Sequence, residues 1–269
     1  MAQRTPTDDK PGHGNNLLRS LRPADIALIE PRLELVTRPT GALLYNPGDA
    51  VEVVYFPVGA SLASFVVSNA EGRDVEAILV GREGAVGGIV SLGHLPAYCR
   101  IIVKYGGEFV RLRVTDLDAA KEVSSPLRQL FARYADCLLA QIFQSTACNA
   151  IHSIEERAAK WIVAAMDRTG DHLVPLTHQE LAGMLGVGRS YTSRVLQKLK
   201  MEGLLESRRG SLVVHDIDAL RARACTCNDA VKAHFDVVLR GVYPTGGKNG
   251  QGAGRRPAVR AVTTSGAEA

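Results

Sequence analysis

The sequence predicts an α+β protein in which an antiparallel β domain comes first, a long helix follows and a small helical module comes last. Between Leu35 and Leu117, runs of four to seven apolar and β-branched residues are separated by glycine turns, as in a sandwich or barrel. From residue 124 onward, apolar residues recur every three or four positions, which is the helical period. This change of period divides the chain into two parts.

Composition and length indicate a soluble protein. The chain has 269 residues, of which 46% are apolar and 22% charged, enough for one or two domains with cores. It contains no run of about 18 apolar residues and no apolar stretch at its start, so we expect a cytoplasmic location and no membrane partner. The five cysteines are odd in number and thinly spread, which favours reduced thiols.

The net charge of +4 is mild but unevenly distributed. Residues 186–210 contain six Lys or Arg and two Glu, and residues 240–269 contain five Lys or Arg and one Glu. Each segment therefore carries as much positive charge as the whole chain, so the remainder is acidic. Such a distribution is typical of a protein that meets nucleic-acid phosphates at one end.

The β region is preceded by a short helix, predicted around Pro23–Arg32, and by residues 1–15, whose polar composition predicts disorder. The strands are predicted at residues 43–45, 51–56, 61–67, 75–80, 100–104 and 108–114.

One long helix is predicted over residues 124–150, with Ser124, Ser125 and Pro126 at its start. A heptad seam runs along it, formed by Leu127, Phe131, Tyr134, Leu138, Gln141, Ser145 and Cys148. Within a single chain this seam would pack on the β domain, whereas in a coiled coil it would pair two subunits.

Residues 176–203 predict two short helices joined by a glycine turn. Thr177 and Glu180 form a capping box at the start of the first helix, which should end near Leu185. Gly186-Val-Gly188 supplies the turn, and the second helix starts at about Arg189. Its inward stripe is Val195, Leu196 and Leu199, while Arg189, Ser190, Ser193, Arg194 and Gln197 face outward.

This arrangement is typical of a helix-turn-helix, whose second helix reads base edges in the major groove of DNA. Residues 204–215 predict two strands around a basic turn, which would form a wing on the phosphates. The same spacing also fits a structural helical hairpin with a solvated charged face. The local positive charge favours DNA binding.

The motif Leu185-Gly-Val-Gly-Arg-Ser-Tyr-Thr-Ser-Arg-Val-Leu, with Thr177-His-Gln-Glu before it and Glu202-Gly-Leu-Leu after it, resembles the winged helix of the Crp/Fnr superfamily of bacterial transcription regulators. The resemblance implies that Arg189, Ser190, Ser193 and Arg194 face the bases, and that Thr177, His178 and Gln179 touch phosphates. Lys198, Arg208 and Arg209 are further candidates for phosphate contacts. Ser190 stands where several members have a glutamate, so their half-site preference does not carry over.

Asn46-Pro-Gly-Asp49 and Tyr55-Phe-Pro-Val-Gly59 resemble the β-roll of cyclic-nucleotide-binding domains, the sensor half of the same superfamily. The fold that this implies is an N-terminal antiparallel β-roll, a long dimerisation helix and a C-terminal winged helix-turn-helix. The expected divisions are a disordered N-terminus at residues 1–15, the β-roll at 16–123, the dimerisation helix at 124–150 and the winged helix-turn-helix domain at 151–228. Residues 229–269 are expected to form a C-terminal extension with a flexible basic tail.

The resemblance does not extend to the nucleotide-binding residues. Gly84-Ala-Val-Gly-Gly88 stands where nucleotide-responsive members have a Gly-Glu pair, and Tyr98-Cys99 stands where they have an arginine followed by a hydroxyl residue. Arg100 opens an apolar strand and is expected to be solvated or structural. Because a buried phosphate needs a cation, we expect no cyclic-nucleotide binding of the usual kind, and no cofactor or effector is identified.

The sequence gives little support for a metal site or for an enzyme. Cys225 and Cys227 could ligate a metal, but a site needs four ligands and only His215 and His234 lie nearby, so two partly buried thiols and no metal are expected. The seven histidines are scattered singly and no nucleophile motif occurs, which argues against an enzyme.

The leading hypothesis is a homodimeric transcription regulator that binds an inverted repeat in double-stranded DNA, with RNA polymerase as a further candidate partner. The alternative is a ligand-sensing or protein-interaction module whose winged helix contacts a protein.

Overall fold

The computed structural model describes residues 14–68, 70, 72, 74–89 and 95–240. The expectations for residues 1–13 and for the basic tail at 241–269 lie outside these residues. The strands are β1 Glu34–Arg38, β2 Leu43–Tyr45, β3 Val53–Pro57, β4 Leu62–Ser68, β5 Asp74–Val80, β6 Arg100–Tyr105, β7 Gly107–Arg113, β8 Leu173–Val174, β9 Leu205–Arg208 and β10 Ser211–Val214. The helices are α1 Asn16–Arg19, α2 Pro23–Ile29, α3 Val114–Val123, α4 Ser125–Ile151, α5 Ile154–Thr169, α6 His178–Leu185, α7 Arg189–Met201, α8 Ile217–Arg223 and α9 Cys227–Leu239, with a 3-10 turn at Glu30–Arg32. The predicted α+β class is confirmed.

The first seven strands form two antiparallel sheets. One has the order β1-β7-β3 and the other the order β2-β6-β4-β5. Residues of β3, β6 and β7 form part of the buried core of this domain, among them Val54, Phe56, Val103, Phe109 and Leu112. The predicted strands lie within two residues of the observed ends, but β1, α1 and α3 were not predicted as elements.

The expectation that residues 1–15 are disordered is wrong for Asn15, which is ordered. Asn15 is fully buried, and its side-chain carbonyl accepts from the Leu18 N–H at 3.0 Å to cap α1. Its amide nitrogen donates to the carbonyl oxygens of Pro57 and Gly84, at 2.9 Å each. Because its amide group is satisfied on both sides, Asn15 anchors the start of the ordered chain to the β-roll.

The seam of α4 faces its own chain, so the predicted dimer interface is wrong for its buried members. Leu127, Phe131, Tyr134, Gln141 and Cys148 are all buried within one chain. The Phe131 ring packs edge-on against Phe56, and Tyr134 exchanges two hydrogen bonds with the backbone of Ala85. Leu138 and Ser145 are half-buried beside them. The single-chain alternative is the one observed.

Part of the seam is covered by α9, to which the sequence assigned no structure. Phe235 packs edge-on against Tyr134, with ring centroids 6.3 Å apart. Val231, Phe235 and Leu239 belong to the same buried cluster as Phe56 of the β-roll. The C-terminal extension predicted from residue 229 therefore begins as part of the core of the first domain.

The second domain is built from α5 to α8 and a small sheet of order β8-β10-β9. Ser153 and Glu156 form a capping box that starts α5, and Trp161 is buried in the core. The core also contains Leu181, Leu196 and Leu212 from α6, α7 and β10. In the part of the chain that the structure describes, no helix has both the length and the apolarity needed to cross a membrane.

A buried ion pair joins the two domains. Arg168 of α5 donates from Nε to Glu83 Oε1 at 2.9 Å and to the Leu79 carbonyl at 3.1 Å, and both charged side chains are almost fully buried. Nearer the surface, Lys104 of β6 pairs with Glu76 and lies 3.6 Å from Glu180 of α6. The second domain is thus fixed to the edge of the sheet that contains β5.

Removing one partner of the buried pair should destabilise the protein strongly. We expect Glu83→Ala to lower the free energy of unfolding by about 3–5 kcal/mol, since it leaves the Arg168 charge buried without its carboxylate. Urea denaturation measures the loss. The matched control is Glu34→Ala, which breaks an exposed pair with Arg111 and should cost at most about 1 kcal/mol. Equal losses in the two variants would contradict the structural role given to Glu83.

Candidate nucleic-acid interface

The turn between α6 and α7 sets the positions of the two helices that form the candidate interface. Thr177 caps α6 by accepting from the Glu180 N–H at 3.1 Å, and Glu180 accepts from the Thr177 N–H at 2.8 Å. Gly186 ends the helix with φ of 69°, a left-handed conformation that favours glycine. Gly188 then precedes α7 in an extended conformation. The predicted helices and turn are confirmed.

Helix α7 exposes one face and buries the other. Thr192, Val195, Leu196 and Leu199 are buried, whereas Arg189, Ser190, Arg194 and Gln197 are exposed and Ser193 is half-buried. The Arg194 guanidinium lies 5.2 Å from the ring centroid of Tyr191, within range for a cation–π contact. This contact holds a long basic side chain over the exposed start of the helix.

His178 connects three elements of the interface. Its Nδ1 lies 2.9 Å from the Ser193 hydroxyl of α7, and its Nε2 lies 3.1 Å from the Ser207 hydroxyl of β9. Both ring nitrogens therefore have partners within the domain. Burial, followed by the nearby charge of Arg189, lowers the pKa of His178 below its usual value of 6.5. The ring sets the position of the wing relative to α7.

The wing is a two-stranded antiparallel ribbon. In the pairing of β9 with β10, Leu205 lies opposite Val214 and Arg208 lies opposite Ser211. Gly210 makes the turn with φ of 79°. Arg208 is exposed and donates to Glu206 at 2.8 Å, and Arg209 is exposed at the tip. The predicted strands and basic turn are confirmed.

The remaining predicted contact residues have different surroundings. Gln179 is exposed in the first turn of α6. Lys198 is exposed but pairs with Glu155 of α5 at 2.7 Å, on the side of α7 that meets α5. Thus the structure brings Arg189, Ser190, Ser193 and Arg194 together with His178 and the wing, while Lys198 lies apart from them.

The segment that corresponds to the nucleotide site of the β-roll is occupied by contacts within the chain. A Cβ at Gly84 would lie 2.0 Å from the Tyr134 hydroxyl, so the close packing of α4 requires glycine there. The adjacent carboxylate, Glu83, is bound to Arg168. Arg100 pairs with Asp74, in agreement with the structural role expected for it.

Cys225 and Cys227 are buried, as expected, but the groups that join them were not foreseen. Cys148 and His152, from the end of α4, lie beside them, instead of the two histidines nearby in the sequence. The expectation that only His215 and His234 could complete a ligand set is therefore wrong. Sequence spacing could not reveal this, because the two pairs are more than 70 residues apart.

The lowered pKa of His178 predicts a stability that depends on pH. The pKa of His178 is lower in the folded state than in the unfolded state. Its contribution to the free energy of unfolding is therefore complete above the unfolded-state pKa and is lost as the pH falls through the folded-state pKa. Between about pH 7.5 and about pH 5.5, we expect the unfolding free energy of the wild type to fall more than that of His178→Gln. Urea denaturation at both pH values checks this. His172→Gln, at an exposed position, is the control and should behave as the wild type, whereas a similar fall in wild type and His178→Gln would contradict the prediction.

Known structures and families resemble this architecture. The model of the Crp-like helix-turn-helix domain matches residues 156–223, whereas no curated protein matches the chain. The structure of FixK2 from Bradyrhizobium japonicum is 16% identical, with a TM-score of 0.61 over 72% of this chain and 98% of that one. The Crp/Fnr-family regulator TTHA1359 from Thermus thermophilus is 20% identical, with a TM-score of 0.57 over 71% and 98%.

A third similar structure is the c-di-GMP-responsive global regulator CLP from Xanthomonas campestris, 18% identical, with a TM-score of 0.57 over 72% of this chain and all of that one. CLP links cell–cell signalling to virulence gene expression, and TTHA1359 is a transcriptional regulator. The resemblance noted in the sequence is confirmed: the chain carries a Crp-like helix-turn-helix domain on the fold of the Crp/Fnr transcription regulators.

Proposed function

We propose that the protein regulates transcription by binding an inverted repeat in double-stranded DNA as a homodimer. The observation that carries the proposal is the exposed face of α7. The 13 residues of α7 include Arg189, Arg194, Lys198 and Lys200 and no acidic residue, and the helix lies beside the basic wing. A helix of this charge, held on a rigid domain, fits the major groove of DNA. RNA polymerase stays a predicted partner.

The roles proposed for the side chains follow their surroundings. Arg189 and Arg194 would bond base edges, with Ser190 and Ser193 beside them. Gln179 and Arg209, both exposed, would hold phosphates, and Thr177 and Arg208 would do so by leaving Glu180 and Glu206. His178, whose two nitrogens are already bonded, would position Ser193 and the wing rather than contact phosphate itself. Lys198 would reach a phosphate only by leaving Glu155.

A different face of α4 from the one first expected would join the subunits. On the side away from the β-roll, the residues at heptad spacing are Ala132, Asp136, Leu139, Phe143, Thr146 and Ala150, all of them exposed. Leu139 is 48% exposed and Phe143 is 68% exposed, unusual for apolar residues in the middle of a helix. Two copies of this face would bury both side chains in a parallel pair of helices.

Such a dimer would place its two recognition helices in successive major grooves, about 34 Å apart. We further propose that the affinity for DNA does not depend on a cyclic nucleotide bound in the family's usual site. Two charged groups near the corresponding positions, Glu83 and Arg100, are paired with Arg168 and Asp74. A cyclic phosphate would have to displace Asp74 to reach Arg100.

Selection from a random DNA pool, followed by titration with the selected duplex, tests DNA recognition. We expect an inverted repeat whose affinity falls steeply with salt, by about 0.9 log units per phosphate contact for each decade of salt. Arg194→Ala should lose about 1–3 kcal/mol of discrimination at one base position of each half-site. Fluorescence anisotropy measures both quantities.

The control for this experiment is Arg111→Ala, which removes the same charge from the surface of the β-roll. It should leave discrimination unchanged, and cyclic AMP or cyclic GMP should leave the affinity of the wild type unchanged. If no sequence is enriched, or if Arg194→Ala binds all sequences as the wild type does, α7 is not the reading helix.

The proposed dimer interface is tested by placing charges on it. Burial of Leu139 and Phe143 should contribute about 1.5–3 kcal/mol for each side chain. We therefore expect Leu139→Asp with Phe143→Asp to raise the dimer dissociation constant by at least ~100-fold, as measured by analytical ultracentrifugation. Val237→Asp, at an exposed apolar position of α9, should leave the dimer intact. If the double variant remained a dimer, the subunits would pair through another surface.

A further inference from the structure

Four metal-binding side chains meet where α4 ends. Cys148 lies in the last turn of α4 and His152 directly follows the helix, whereas Cys225 lies in the short connection between α8 and α9 and Cys227 is the first residue of α9. Their ligand atoms, three Sγ atoms and one imidazole nitrogen, all lie within 4.8 Å of one another. Among the described residues, this is the only cluster of three or more His, Cys, Asp or Glu with such spacing.

The distances fit a single tetrahedral ion. Zinc bonds to sulfur at about 2.3 Å and to imidazole nitrogen at about 2.0–2.1 Å, so tetrahedral ligands lie about 3.8 Å apart for two sulfurs and about 3.6 Å apart for sulfur and nitrogen. Cys148 Sγ lies 3.5 Å from Cys225 Sγ, and Cys227 Sγ lies 3.6 Å from His152 Nδ1. Small adjustments of these side chains are enough to bring all four atoms onto one ion.

The surroundings also favour a bound cation over packing alone. The three cysteines are buried and form a small cluster of their own, separate from the cores of both domains. The Gln144 side-chain amide donates to Cys227 Sγ at 3.2 Å. Such a donor stabilises a metal-bound thiolate from outside the ligand set and orients it.

We propose that Cys148, His152, Cys225 and Cys227 form a structural zinc site. Three sulfurs and one imidazole are a ligand set that Zn²⁺ prefers, and with four protein ligands no coordination position is open for catalysis. On binding, Zn²⁺ replaces the protons of the three thiols, which pass to solvent. The ion joins the end of α4 and the entry to α5 to the connection between α8 and α9.

Two other uses of the same sulfurs fit the geometry less well. An iron–sulfur cluster contains several irons and inorganic sulfides between its ligands, for which a group of ligand atoms this compact has no room. A disulfide between Cys148 and Cys225 would use only two of the four groups and leave Cys227 and His152 without a common role. Both alternatives are distinguished by the experiment.

The experiment measures metal bound to the full-length protein, purified under reducing conditions and without metal-chelating resins. We expect one zinc per chain by elemental analysis, and Co²⁺ added to the metal-free protein should give the visible and thiolate charge-transfer bands of a tetrahedral site. Cys225→Ser and Cys227→Ser should each weaken Zn²⁺ binding by at least about 100-fold, and Gln144→Ala by less, as for a residue outside the ligand set. The matched control, Cys99→Ser, alters a thiol outside the cluster and should keep the ion.

Chelation provides a readout that does not depend on the variants. Removing zinc from the wild type should lower its melting temperature, and adding Zn²⁺ back should restore it, with no such effect in Cys227→Ser. Wild-type protein that neither contains zinc nor takes up Co²⁺ would overturn the proposal, as would iron with inorganic sulfide, or a Cys148–Cys225 disulfide found by mass spectrometry in protein purified without reductant. Because the site is read from metal content, its failure would leave the proposed DNA recognition untouched.

Discussion

The buried ion pair between Arg168 and Glu83 is the constraint on which the arrangement of the domains depends. An unpaired charge in this position would cost several kcal/mol, so α5 and the segment after β5 cannot separate without exposing both side chains to water. The second domain is therefore held to the first through its first helix. The Lys104–Glu180 contact adds a second, more accessible connection at the start of α6.

Helix α4 divides its surface among three partners. One side supports the β-roll through Phe131 and Tyr134, α9 covers the adjoining part through Phe235, and the remaining side carries the exposed Leu139 and Phe143. The same helix ends at the four proposed zinc ligands. A single helix thus contacts the sheets of the β-roll, carries the proposed subunit contact and leads into the second domain.

Local signals in the sequence were sufficient for the helix-turn-helix. The capping box of Thr177, the glycine turn and the period of α7 depend on neighbours within a few residues, and each was correctly predicted. The partner of the α4 seam was not correctly predicted. A heptad pattern shows that one side of a helix is buried, but it does not show which segment buries it. Phe235 lies about 100 residues from Tyr134. The meeting of Cys148 with Cys225 and the burial of Asn15 likewise depend on contacts between distant segments.

The packing of α9 into the first domain has a consequence for how the chain acquires its structure during synthesis. Leu17 and Leu239 share one buried cluster, so the core of the first domain contains residues from both ends of the described chain. A ribosome adds about 5–20 residues per second, so the sheets and α3 are synthesised about 6–23 s before Leu239. Until α9 is made, the side of Tyr134 that Phe235 covers lacks its partner, and the second domain, with its own core, can fold before the first domain is complete.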